Sequence, residues 1–182
     1  MKRIITFLFI LSTASAYSQD EFASTAFYND LKKIYTDAET GFQKYKGDKR
    51  KTPFEDLASE FKVKLMLPLA DSGKIVSPKN GNNPYAVYYF EPNKNRLKVD
   101  QRAMGLRDAI VSTYDKPLYQ KSETVMINNK PYTNTWLFVN PDEQKNSAAL
   151  FRISIYFEER FYYVTMEIRG REEKPVANSQ EP

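Results

Sequence analysis

Residues 150–169 read LFRISIYFEERFYYVTMEIR, two runs rich in aromatic and β-branched side chains that meet at Glu159-Arg160. Such side chains suit a pleated, half-buried surface, so Leu150 to Glu158 and Phe161 to Arg169 read as the two strands of a hairpin. A two-residue connection dictates the register: opposed residue numbers must sum to 319. One face then stacks Phe157 on Tyr162, Ile155 on Val164, Ile153 on Met166 and Phe151 on Ile168, and this is the expected core face. The other face opposes Tyr156 to Tyr163, Ser154 to Thr165 and Arg152 to Glu167. An aromatic pair, a hydroxyl pair and an ion pair each contribute roughly 0.2–1 kcal/mol across a ladder. Their coincidence in one register supports the pairing independently of the turn.

Working outward, Gln120 to Ile127 and Tyr132 to Val139 flank Asn128-Asn129, residues that tolerate positive φ, and so form a second predicted hairpin. Before it, Val99, Ala103, Leu106, Ile110 and Tyr114 recur on one helical face, with Asp100 near the start and Pro117 as a stop. Tyr85 to Phe90 is a dense run expected to be a central strand. Val63, Leu65, Leu67 and Leu69 alternate with Lys62, Lys64, Met66 and Pro68, predicting a strand that turns at Asp71-Ser72-Gly73 and continues through Lys74-Ile75-Val76.

At the N-terminal side, Phe27, Leu31, Ile34, Tyr35, Ala38, Phe42 and Tyr45 keep helical spacing, with Asp30, Lys33, Asp37 and Lys44 on the polar face and Gly47 as C-cap. Thr52-Pro53-Phe54-Glu55 has capping-box spacing and predicts a short helix to about Ser59. No internal repeat is visible. The fold class is therefore α+β, an antiparallel sheet of six or seven strands with two long helices on one face.

Lys2 and Arg3 precede an apolar run from Ile4 to Leu11, and Ala14-Ser15-Ala16 forms a small-residue cleavage pattern. This reads as a secretory signal peptide over residues 1–18, followed by one domain at 19–171 and a tail at 172–182 without periodic apolar residues. The expected location is periplasmic or extracellular, and the short leader resembles bacterial ones. The chain of 182 residues carries a formal charge of +4; without Lys2 and Arg3 it holds 25 bases against 23 acids, or +2. That balance, with no sustained basic stripe, argues against nucleic acid as a partner. No later stretch reaches the roughly 18 apolar residues of a membrane span.

The chain contains no Cys and no His. Disulfides, thiolate nucleophiles, thiolate metal sites and the usual neutral-pH general base are thereby excluded. No phosphate-binding glycine loop or nucleophile elbow occurs, Asp71-Ser72-Gly73 lacks the further acids of a Ca²⁺ loop, and no cofactor is expected. Lys44, Lys46, Lys49, Arg50 and Lys51 form a basic concentration, read as cations that complement a helix C-terminus. Glu158 and Glu159 sit at a hairpin tip and Asp37 and Glu39 on an exposed helix face, where solvation rather than acid–base work is expected.

The candidate site is the face away from the helices, carrying Tyr156, Tyr163, Arg152 and Glu167, with Trp136 as a further aromatic platform. The reading is a non-catalytic exported module that contacts a protein or peptide of the cell envelope. Two alternatives are a carboxylate-dependent enzyme acting on envelope polysaccharide and a binder of small ligands or carbohydrate.

Overall fold

The computed structural model describes residues 21–140 and 149–170; the expected leader over 1–18 and the expected tail over 172–182 lie outside the described residues. The elements are α1 (Thr25–Ala38), β1 (Lys46–Arg50), β2 (Ala58–Val63), β3 (Ala70–Pro78), β4 (Tyr85–Asn93), α2 (Arg96–Thr113), β5 (Tyr119–Ile127), β6 (Lys130–Phe138), β7 (Phe151–Glu158) and β8 (Phe161–Arg169). The strands form one antiparallel sheet in the order β1-β2-β3-β4-β8-β7-β6-β5. The class is α+β as read from the sequence, with eight strands among the described residues where six or seven were expected.

The described elements fall into two successive α-then-four-strand units. Each unit unrolls as a meander, and the last strands, β4 and β8, pair antiparallel at the centre, so strand order runs outward symmetrically on both sides. The repetition lies in topology and leaves no visible trace in the sequence.

The additional strand, β1, exists because the first helix is shorter than its apolar spacing predicts. Ser24 caps α1 by accepting the Phe27 amide at 3.2 Å, and the apolar stripe Phe27, Leu31, Ile34 and Ala38 is buried as its spacing requires. The helix stops at Ala38, well before Gly47. Gly41 and Phe42 take positive φ (69° and 65°), and the Asp37 carboxylate accepts the backbone amides of Lys44 and Tyr45 at 3.2 and 2.9 Å. These bonds divert the chain into β1, while full burial of Phe42 offsets its unfavourable backbone conformation. Asp37 is accordingly a buried capping group and not an exposed helix charge. The basic concentration correspondingly falls on the edge strand β1 and its flanks, not on a helix end.

Three further expectations fail locally. Thr52 does accept the Phe54 amide at 3.1 Å, but the chain makes one turn and enters β2 at Ala58 instead of continuing as a helix. Pairing with β1 and β3 on both sides outweighs the local capping signal. Asp71-Ser72-Gly73 lies inside β3, beside a register shift between Ala70 and Ser72, and not in a turn. Gly73 is there for close approach: a Cβ would meet Val63 Cγ1 at 2.8 Å and the Tyr88 ring at 3.1 Å. The fully buried Tyr88 satisfies its hydroxyl by donating to the Leu65 carbonyl at 2.9 Å.

The strand expected over Val63, Leu65, Leu67 and Leu69 also ends early: β2 stops at Val63, and residues 64–69 form the connection to β3. There Leu69 takes positive φ (67°) and the Ala70 amide donates to the Leu67 carbonyl at 3.2 Å, while Leu67 is buried in the core. The other readings match. α2 is capped by Asn95, which accepts the Leu97 amide at 2.9 Å, and buries Val99, Leu106 and Ile110. Asn128 and Asn129 adopt φ of 50° and 60° in the β5–β6 turn, and Glu159 and Arg160 do likewise (46° and 72°) in the β7–β8 turn. All eight β7–β8 pairs, from Phe151↔Ile168 to Glu158↔Phe161, follow the predicted register. One core joins Leu31 and Ile34 of α1, Leu106 and Ile110 of α2, and Ile75, Ala86, Tyr88, Ile153, Ile155, Val164 and Met166 of the sheet. These sheet residues share one face, so both helices cover the same side and leave the other as a separate surface.

Candidate functional site

The surface opposite the helices is organised in rows across the strands, because the side chains of opposed residues stand side by side. In one row Tyr132, Tyr156 and Tyr163 face one another on β6, β7 and β8. Their rings form a continuous stack: Tyr132 and Tyr156 are 5.7 Å apart at 14°, and Tyr156 and Tyr163 are 5.2 Å apart at 9°. The next row is polar, with Asn134, Ser154, Thr165 and Tyr89. There the buried Ser154 hydroxyl donates to Asn134 Oδ1 at 2.7 Å. The third row runs Trp136, Arg152, Glu167, Val87 and Lys74.

Glu167 organises this third row. It is 5% exposed and accepts from the Arg152 guanidinium on one side and from Arg169 at 3.3 Å on the other. A buried carboxylate requires such charge-assisted partners. Lys74 extends the polar surface by donating to Glu60 at 2.8 Å; burial is the largest single influence and works against its charge, but the Glu60 bond and the charge interactions with Tyr89, Glu60 and Tyr85 together outweigh it, and the ammonium pKa is raised.

The tyrosines are half-buried, and burial is the chief reason that the Tyr156 phenol is pushed up to about 12, with Tyr89, Glu158 and the flanking tyrosines adding to the shift. Tyr85 is raised chiefly by burial and next by Glu167, against the opposing pull of Lys74 and Arg152. At neutral pH these side chains are protonated and act as hydrogen-bond donors on flat aromatic bodies.

A cleft of about 640 Å³ opens at the end of the third row, beneath the Asn80–Asn83 loop, and is lined by Tyr85, Trp136, Arg152 and Arg169 among others. Arg152 keeps a buried Nε donor with no hydrogen-bond partner among the described residues. Trp136 is only 6% exposed, packed with Phe138 and Ala149 in a small second cluster and covered in part by Lys121, whose ammonium lies 5.7 Å from the ring centre. It forms part of the cleft wall rather than an open stacking platform.

All five residues singled out from the sequence share this face. Tyr156, Tyr163, Arg152 and Glu167 lie in the predicted opposition. Tyr132 escaped the sequence reading, because the connection between β6 and β7 is too long to dictate a register. Its signal was nevertheless present, since Tyr132, Asn134 and Trp136 repeat the alternation of Tyr156, Ser154 and Arg152. Tyr89 and Tyr85 depend on the β4–β8 pairing, which joins segments from different halves of the chain, whereas Arg169 lies two residues from Glu167 on β8, where strand alternation alone puts both on one face.

Glu158 and Glu159 lie exposed at the hairpin tip. Among the described residues no three acidic side chains gather as a cation site, and no helix is long and apolar enough to cross a membrane. No family model matches the chain, and no curated protein or solved structure matches it either.

Proposed function

We propose that this chain is an exported, non-catalytic binding module whose open sheet face receives a protein or peptide partner in the cell envelope. The stacked row Tyr132–Tyr156–Tyr163 supports this reading most directly. Three aromatic rings are held parallel on the side that the helices do not cover, next to a row of hydrogen-bonding side chains. Such side chains offer large contact area with little rotamer entropy to lose, as binding surfaces require. The test is capture of a partner from envelope extracts, followed by calorimetry with the purified partner. The double variant Y156S/Y163S is expected to bind at least about tenfold more weakly, about 1.4 kcal/mol. Unchanged affinity overturns the assignment of the face. Export is tested by N-terminal sequencing, which is expected to begin between residues 17 and 19; an intact Met1 in a cytoplasmic fraction overturns it.

A second reading is favoured by the cleft. Its volume lies within the range of small-ligand pockets, and Tyr85, Arg152 and the asparagine loop offer an aromatic wall with hydrogen-bond donors, a combination suited to a carbohydrate. The chain has a single tryptophan, and it lines this cleft. Saturable change in its fluorescence on titration with envelope sugars, abolished by R152Q, is the expected result, and an unresponsive signal counts against this reading.

A further inference from the structure

The two edges of the sheet are built differently. β1 has five residues, of which Lys46, Asp48, Lys49 and Arg50 are charged, and its pairing with β2 shifts register between Lys46 and Lys49. Charge and irregularity of this kind guard an edge against adding another strand. β5 at the other edge has neither guard to the same degree. Its nine residues, Tyr119–Ile127, pair with β6 without a shift, contain no proline, and are all exposed. No described residue pairs with its outer side.

We propose that β5 pairs antiparallel with β5 of a second copy about a two-fold axis through Ser122, merging the two sheets into one. The strand's own sequence selects this register. With Ser122 opposite itself, Lys121 opposes Glu123 of the second copy and Glu123 opposes Lys121, giving two ion pairs by symmetry. Tyr119 likewise opposes Val125 twice, and Gln120 opposes Thr124 twice. Moving the axis to Glu123 sets two carboxylates against each other, and moving it to Lys121 sets two ammonium groups against each other. Of these three neighbouring registers, the Ser122 one alone is charge-complementary.

Both faces of the merged sheet continue existing patterns. On the helix side, Ser122 and Thr124 already meet Thr135 and Thr133 at 3.0 Å, and the added Ser122, Gln120 and Thr124 extend this row of hydroxyls. On the open side, Val125 stands opposite Tyr132, so the aromatic row would run through Tyr163, Tyr156, Tyr132 and Val125 into Tyr119 of the second copy. A seven-residue ladder covers roughly 24 Å of edge, a modest interface, and association is expected in the micromolar range.

The absence of cysteine permits a direct test. In S122C the two new thiols lie across the axis, with Cα atoms roughly 4.5–5.5 Å apart, within disulfide range. In T124C the thiols are about 14 Å apart along the strands. Mild oxidation of the purified protein is expected to cross-link S122C and not T124C. Sedimentation across about 1–200 μM is expected to show a monomer–dimer equilibrium for wild type. E123K should weaken it at least about tenfold, and K121E/E123K, which restores opposite charges, should recover it. A wild-type monomer throughout that range, equal cross-linking of both cysteine variants, or a dimer indifferent to E123K would each overturn the proposal.

Discussion

Tyr156 lies directly opposite Tyr163 on the central hairpin, with ring centres 5.2 Å apart and planes within 9° of parallel, on the face that the helices leave uncovered. One residue away in sequence, Ile155 is buried in the main core on the other face. Adjacent positions of one strand therefore have opposite energetic roles.

For Tyr156 and Tyr163, replacement of both by Ser removes one stacked pair, the stacking on Tyr132 and partial burial. The expected loss is about 1–2 kcal/mol, with the cooperative transition retained. Urea denaturation followed by circular dichroism measures it. Collapse of the transition would show that the tyrosine row is itself a core.

Ile155→Ala deletes buried methyl groups and leaves a cavity among Val164, Ile153 and the helices. A loss of about 2–5 kcal/mol is expected, clearly larger than that of the tyrosine pair. A denaturation midpoint equal to that of wild type would contradict the packing of this face.

Glu167→Gln leaves Arg152 and Arg169 beside a neutral amide in a site where the carboxylate is nearly inaccessible. Destabilisation of about 1–3 kcal/mol at neutral pH follows from the lost charge-assisted bonds. Arg152→Met, which leaves Glu167 its contact with Arg169, should cost less than Glu167→Gln. The reverse order would mean that Glu167 does not organise the row.

Alkaline pH tests the burial of Tyr156. An ordinary phenol titrates near about 10, whereas this one is pushed up to about 12 in the folded chain. A raised folded pKa means that the native state holds its proton more tightly than the unfolded state does. Its contribution is fully present below about pH 10 and is lost as pH rises through about 12. Across that window wild type should lose stability relative to Tyr156→Phe, which has no phenol to ionise. Denaturation midpoints of the two proteins that move in parallel would show that the phenol is not buried.

Short-range relationships were legible in the sequence. The β7–β8 register, the Asn128-Asn129 turn and the apolar face of α2 follow from turn length, positive-φ tolerance and 3.6-residue spacing, all properties of neighbouring residues. The opposition of Arg152 to Glu167 and of Tyr156 to Tyr163 was likewise available, because the two-residue connection leaves no freedom in register.

The meeting of distant segments was fixed by the fold as a whole. Helical spacing through Tyr45 gave way to β1, because Asp37 ties down the amides of Lys44 and Tyr45 and a strand there completes the edge beside β2. Tyr132, Tyr85 and Tyr89 join the site only through strand pairings that no short loop specifies. The central β4–β8 pair joins segments almost eighty residues apart. Sequence periodicity specifies which side of a strand is apolar, but the choice of neighbouring strand is made by burying all those apolar sides in one core while leaving few backbone groups unpaired. That is a property of the whole sheet and of no segment within it.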